Sequence, residues 1–403
     1  MKILVVYPDP FDRQSFGALH HHEFVFTPDA PSHWQPDPSF DPLAYFEHCL
    51  VLARQHQVDA VLSTHDLGDL IASMVARELA LPGPTPDAVF LSLHKYYSRQ
   101  RESSPIACTP LNLHHPAPDL TYPLFLKPPW LKLGLLGFKL ENDGDRDRAL
   151  AIARRDYPAW ARQYTPLFRQ AIDDKTYPLA TTDIMLAEEF IEGPQVTVEG
   201  WRRQGRTQLW AITDTNTFPG SRVIDNFSLP SRRSPHQQEA IARFAFDAIE
   251  QSGFDDGFFN LEVWETPGGL RLTEINARAA VSFAGLYRVA LAANIFAAVA
   301  DLACGKEPAE QPRPTGRVAG QFNLISFAEA SAAELIDFEA AAAIPELVLF
   351  HEPGDSIRAV SEFGSVLGQI ELEGDQYEEI HARAEAIRKQ VLRTFSSPTS
   401  MID

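Results

Sequence analysis

The chain has 403 residues, 45% of them hydrophobic and 22% charged, with a formal net charge of -19. That length accommodates two or three domains with sizeable cores, and the balance is globular rather than disordered or fibrous. The negative excess disfavours non-specific binding to nucleic acid or to an acidic membrane, so an anionic substrate needs local Lys and Arg clusters. Cys49, Cys108 and Cys304 lie far apart with no C-x-x-C, which fits unpaired thiols in a reducing compartment. The opening run MKILVVYPDP is too short for a signal segment, and no apolar stretch approaches about 18 residues. A cytoplasmic chain is the expectation, with neither nucleic acid nor membrane as partner.

In chain order, Lys2 to Tyr7 is a β-branched apolar run stopped by Pro8 and predicts a buried strand. Residues 42–57 have helical apolar spacing, 58–63 read as a second strand, and 69–79 are again helical. Strands alternating with helices predict a parallel α/β domain over about the first 90 residues. Residues 102–121, rich in Pro, Ser and His, read as a linker. A strand at 123–127 leads into a loop with Gly134 and Gly137, then a strand at 138–141. Charges and alanines over 145–175 predict one or two exposed helices. Strands at 184–191 and 195–201 flank the turn Glu192-Gly193-Pro194. An amphipathic helix spans 235–251, strands follow at 258–265 and 270–276, an alanine-rich helix covers 284–304, and 376–395 closes the chain as a helix.

The most informative stretch is FFNLEVWETPGGLRLTEINAR, residues 258–278. A three-residue loop Pro267-Gly268-Gly269 sets Thr266 opposite Leu270, Trp264 opposite Leu272 and Glu262 opposite Glu274. Asn276 and Arg278 follow on the same side, because residues i and i+2 share a strand face. Two facing carboxylates repel unless a divalent cation sits between them, and Mg2+ favours carboxylate oxygens together with substrate phosphates. A solvated hairpin with chance acids is the plain alternative; the apolar Phe258, Leu261, Val263 and Ile275 around the polar face weigh against it.

The pattern Glu262, then Glu274-x-Asn276-x-Arg278, resembles the metal-binding signature of the ATP-grasp superfamily. The resemblance implies that Glu262, Glu274 and Asn276 hold Mg2+ or Mn2+ bridging nucleotide phosphates, and that Arg278 contacts phosphate or an acyl phosphate. Lys95 and Lys127, otherwise readable as surface lysines, match the two ATP-contacting lysines of that family. Gly134 and Gly137 correspond to its phosphate flap, although Trp130 and four leucines replace the usual small residues. The stretch 186–201 is similar to the adenine hinge: Glu188 would accept from the exocyclic amine, backbone near Glu189 to Ile191 would read the adenine edge, and Phe190 and Ile191 would sandwich the ring. Gln195 stands where an acid usually holds the ribose.

The implied fold class is α/β and α+β multidomain: an ATP-grasp fold with an N-terminal parallel α/β domain (1–95), an ATP-grasp domain (96–305, small β-rich nucleotide lobe about 120–200) and a C-terminal lobe (306–403). The implied activity is ATP-dependent ligation of a small carboxylate to an amine through an acyl phosphate, on the L-amino-acid and dipeptide ligase branch. A bicarbonate-activating carboxylase of the biotin or purine type and a non-catalytic ATP-binding module are the alternatives. A homodimer is the commonest assembly for such a chain. His20, His21, His22, His33 and His48 lack ligand spacing and read as surface. Arg222, Arg232 and Arg233 mark a possible acyl-substrate region, and His65 and Asp66 sit where open parallel sheets place ligands.

Overall fold

The computed structural model describes residues 1–29, 35–132, 134–173, 175–219, 221, 223–357 and 364–393. The strands β1 (Lys2–Val5), β2 (Glu23–Phe26) and β3 (Ala60–Leu62) form a parallel sheet in the order β2-β1-β3. Ile3, Leu4 and Val5 are fully buried. A strand covered on both faces must be apolar throughout, which is why this one reads as a run rather than an alternation. Helices cover the sheet, and polar caps fix where they start: Asp41 accepts from the amides of Leu43 and Ala44 ahead of Pro42–His56, and Thr85 caps Pro86–Leu93.

A second, antiparallel sheet contains β4 (Cys108–Asn112), β5 (Leu124–Lys127), β6 (Phe138–Leu140) and β7 (Ile184–Glu189) in the order β4-β7-β5-β6. The strand β4 corrects the linker expected at 102–121. Its Pro110 argues against a strand in sequence, but β4 lies at the sheet edge, where a missing N–H costs no ladder bond. The one or two helices expected over 145–175 are a single helix, Asp143–Ala171, and it is not simply exposed, since Tyr157, Trp160, Tyr164 and Phe168 are buried.

The third sheet has eight strands. It draws on β8 (Gln195–Arg203), β9 (Arg206–Thr217), β10 (Ile224–Leu229), β11 (Gly257–Thr266), β12 (Gly269–Asn276) and β13 (Val318–Ser326). Beyond β13 come β14 (Ala330–Ser331), β15 (Leu347–Leu349), β16 (Ser356–Ile357) and β17 (Ser365–Gly374). The order is β12-β11-β8-β9-β10-β13-β17-β15, with β14 and β16 pairing separately. Three strands within 306–403, the span given to the C-terminal lobe, pair into the sheet that carries the carboxylate hairpin. The helix Pro235–Ser252 packs on this sheet; it opens with a Ser234/Gln237 capping box and stops at Gly253, φ 75°.

The alanine-rich helix expected at 284–304 is two helices, Ala284–Leu291 and Ile295–Ala303, bent by 117°. Ala292 takes φ 47° at the break, and Asn294 caps the second helix. No single helix among the described residues is long and apolar enough to cross a membrane, although this bent pair passes on length and composition. Its apolar face is buried against Ile3, Val5, Leu62, Trp201, Trp210 and Phe258.

The turn between β7 and β8 brings backbone against backbone. Glu265 N donates to Pro194 O at 2.8 Å, and a Cβ on Gly193, whose φ is +149°, would lie 2.1 Å from Glu265 O. Gly193→Ala should therefore cost about 2–4 kcal/mol, read as a lowered Tm. Gly205→Ala, at φ +77° with nothing within 4 Å, should cost about 1–2 kcal/mol.

Candidate active site between two sheets

The register pairs Glu262 directly with Glu274 and Asn260 with Asn276. The route to that pairing differs from the expected one. The loop has two residues, with Thr266 opposite Gly269 and Trp264 opposite Arg271, and Thr266 Oγ1 donates to Gly269 O at 2.7 Å. A bulge at Thr273 then restores Glu262 to Glu274. The bulge has a second effect. In a regular strand Leu272 and Glu274 would share a face, whereas here Leu272 pairs with Val263 in the core and Glu274 faces Lys95 and Lys132 on the other side. Arg99 Nη2 donates to the carbonyl of the bulged Thr273.

Glu274 is buried and sits between two cations. Lys95 Nζ lies 2.9 Å from its Oε2, and Lys132 Nζ lies 3.4 Å from the same oxygen. Both ammonium groups also donate to backbone, Lys95 to Leu131 O at 2.7 Å and Lys132 to Ile275 O at 3.3 Å. Burial raises the Glu274 carboxyl, but Lys132 and Lys95 outweigh it and hold the group well below the usual carboxylate range. Glu262 behaves oppositely: desolvation and the adjacent Glu274 push it up to about 7. Gln195 Nε2 donates to Glu262 Oε2 at 3.0 Å, so the position in doubt for the ribose already serves the carboxylate pair. Asn276 is 2% exposed, and its Oδ1 has no hydrogen-bond partner.

The second anion of the cleft is Glu188. Lys127 Nζ lies 2.6 Å from Oε2, and Arg99 Nε lies 3.2 Å from Oε1. Burial raises the Glu188 carboxyl, but Lys127 and Arg99 overcome that and lower it. Burial also lowers the Lys127 ammonium, against the pull of Glu188. Of the remaining hinge residues, Glu189 is exposed while Phe190 and Ile191 are half-buried, and Lys139 Nζ lies 5.0 Å from the centre of the Phe190 ring.

The loop after β5 divides into a core-packed half and a turning half. Trp130 and Leu131 are buried, and Trp130 stacks on Tyr164 at 4.5 Å, so these side chains fill the core. Gly134 and Gly137 close a tight turn through Gly137 N donating to Gly134 O at 2.9 Å. Lys132, between the buried and the turning halves, is the site residue that sequence reasoning passed over.

Arg278 Nη2 lies 3.0 Å from Asp66 Oδ2, at the C-terminal end of the parallel sheet. Arg233 is occupied by Asp214 at 2.7 Å and Glu265 at 2.8 Å, and Arg232 Nε lies 3.6 Å from Asp214. Arg222 and His33 lie outside the described residues. Among the described residues one His/Asp/Glu trio is close enough to share an ion, Asp225, His381 and Glu385. Arg388 already supplies a cation there, 2.6 Å from both Asp225 and Glu385.

No family model matches the chain. Carnosine synthase 1 of Mus musculus is 26% identical over 304 residues, 69% of this chain and 35% of that protein. The Homo sapiens carnosine synthase 1 is 26% identical over 308 residues, with the same shares of 69% and 35%. The match thus spans about a third of the length of these curated relatives. Among solved structures, an L-amino acid ligase from Bacillus licheniformis superposes with a TM-score of 0.73 over 98% of this chain and 99% of that one, at 16% identity. A carboxyaminoimidazole ribonucleotide synthase from Aspergillus clavatus, complexed with ATP, gives a TM-score of 0.66 over 96% and 97%, at 15% identity. The sheet topology and these whole-chain superpositions lead to one conclusion: the chain has the ATP-grasp fold.

Proposed function

We propose that this chain is an ATP-dependent ligase that activates the carboxylate of an amino acid or related small acid as an acyl phosphate. An amine then displaces phosphate, and the products are the amide, ADP and phosphate. The observation that carries the reading is the Glu262–Glu274 pair across β11 and β12 with the unpaired Asn276 oxygen beside it. Two acids and a buried orphan oxygen on one sheet face are a donor set well suited to a hard divalent cation, which would share Glu274 with Lys95 and Lys132. Glu262, Glu274 and Asn276 would hold Mg2+ or Mn2+, which when bound neutralises triphosphate charge.

The remaining roles follow from charge and position. Lys127 and Lys95 contact phosphates, with Lys132 added to that set, since a lysine acts on phosphate as a compact point charge. Gly134 and Gly137 offer the turn over the phosphates. Glu188, Glu189, Phe190 and Ile191 flank the adenine, and Gln195 flanks the ribose. Arg278 faces the reacting phosphoryl group and draws its orientation from Asp66. No protein nucleophile is required: the residues position reactants and offset charge, the main needs of phosphoryl transfer. The division into 1–95, 96–305 and 306–403 is carried as a functional one, with the nucleotide between the second and third sheets. A homodimer and a cytoplasmic setting belong to the same proposal.

The amino-acid ligase reading is preferred because the L-amino acid ligase superposes at 0.73 whereas the carboxyaminoimidazole ribonucleotide synthase superposes at 0.66. Assaying ADP and phosphate release against pooled amino acids, with products identified by mass, tests it directly. Amine-dependent turnover supports the ligase, and bicarbonate-dependent turnover in its place overturns it. Glu274→Gln should lower kcat by about 1,000-fold or more while circular dichroism stays unchanged.

A cation between the carboxylates also has a pH signature. Glu262 is raised to about 7, so its contribution to metal-free stability is full below the ordinary carboxylate pKa and is lost as pH climbs from there through about 7. A cation needs the deprotonated form. The gain in Tm from saturating Mg2+ should therefore be larger at about pH 8 than at about pH 6, and Glu262→Gln should remove the difference. Glu274, held low, is ionised throughout that window.

A further inference from the structure

Only the oxygen of the Asn276 amide can serve a cation, yet the two ends of an amide are nearly the same size, so packing does not choose between them. Hydrogen bonds do. Asn276 Nδ2 donates to Asn260 Oδ1 across the ladder at 3.2 Å. Asn260 Nδ2 donates in turn to Glu199 Oε2, on β8, at 3.0 Å. Glu199 Oε1 accepts from the backbone N–H of Ala280 at 3.0 Å, and Tyr287 Oη lies 3.4 Å from Oε2. The three side chains are 1%, 4% and 2% exposed for Glu199, Asn260 and Asn276, so water is not the arbiter of their orientation.

The bonds run in one direction. Burial pushes the Glu199 carboxyl up to about 8; ionised above that pH it only accepts, and with Oε1 taken by the Ala280 N–H its Oε2 draws the NH2 of Asn260 and leaves the Asn260 oxygen toward Asn276. Asn276 must then give its NH2 to Asn260, which leaves its Oδ1 unpaired and buried. We infer that Glu199 is a positioning residue: through Asn260 it fixes the Asn276 amide with its oxygen toward the cation, and through Ala280 it anchors the backbone just after Arg278. The inference rests on the proposed cation role of Asn276. A purely structural Glu199 would leave metal affinity no more affected than the rest of the fold. A hydrogen-bond relay makes the metal term fall selectively.

The test, run above about pH 8 where Glu199 is ionised, measures Mn2+ binding in the presence of ADP by electron paramagnetic resonance, and ADP binding without metal by calorimetry. In Glu199→Gln the introduced amide can accept from Ala280 only by turning its NH2 toward the NH2 of Asn260, which reverses the relay. Mn2+ should bind about 10-fold more weakly, with metal-free ADP affinity unchanged. Adding Asn276→Asp completes the reversal: the new amide donates to Asn260 Oδ1, Asn260 donates to the new carboxylate, and that carboxylate keeps an oxygen for the metal. E199Q/N276D should therefore bind Mn2+ more tightly than E199Q or N276D alone. If E199Q does not fold, the comparison of the double variant with N276D carries the test. The inference is overturned if E199Q binds Mn2+ like the wild type, if ADP affinity drops equally with and without metal, or if the double variant is no better than the single ones. A wild-type chain that binds no Mn2+ with ADP overturns the metal reading itself, and the relay with it.

Discussion

A buried carboxylate needs partners, and Glu274 takes its partners from two distant segments. Lys95 begins the short helix that leaves the parallel sheet region, and Lys132 lies in the loop after β5. The Lys95 amide also donates to Pro129 O at 2.7 Å, so this helix and the loop are clamped to each other before either reaches the hairpin. Removing one partner from a buried ion pair leaves an unsolvated charge, typically costing about 3–5 kcal/mol. One anion therefore sets the relative positions of the helix, the loop and the edge of the eight-stranded sheet.

Glu188 repeats the arrangement on the facing sheet, and Arg99 joins the two. Its guanidinium reaches Glu188, Glu102 and the carbonyl of the bulged Thr273. The fork of donors suits this role in a way a lysine would not. The cleft thus gathers Lys95, Lys127, Lys132, Arg99 and Arg278 within a chain of net charge -19. Each of these cations is already paired with a buried or half-buried acid, Glu274, Glu188, Glu102 or Asp66, so an anionic ligand there has to compete with those carboxylates.

The carboxylate pair was reached because two one-residue shifts cancel: the loop is one residue shorter than expected, and the bulge at Thr273 adds that residue back before Glu274. The bulge was not legible, since nothing in LRLTEIN marks Thr273 as the extra residue; Arg99, outside the hairpin, binds its carbonyl. Lys132 was hidden by its neighbours, because a lysine among leucines reads as an exposed break in an apolar loop. Arg99 left a trace: in SLHKYYSR it follows Lys95 by four residues, which puts both on one helix face. The strands β9 and β10 were missed where Asp214, Asn226 and Ser228 are buried through side-chain bonding. Polar residues that pair with one another inside a sheet carry no hydrophobic period to detect.

The eight-stranded sheet does not end with the hairpin half of the molecule. From β10 it passes to β13, β17 and β15, so chain segments far apart in sequence share one ladder of backbone bonds. A truncation near residue 306 would not shed an independent module. It would strip three strands and bare the N–H and C=O row of β10, an open edge of the kind that templates aggregation. The last quarter of the chain thus doubles as the sheet's protective border.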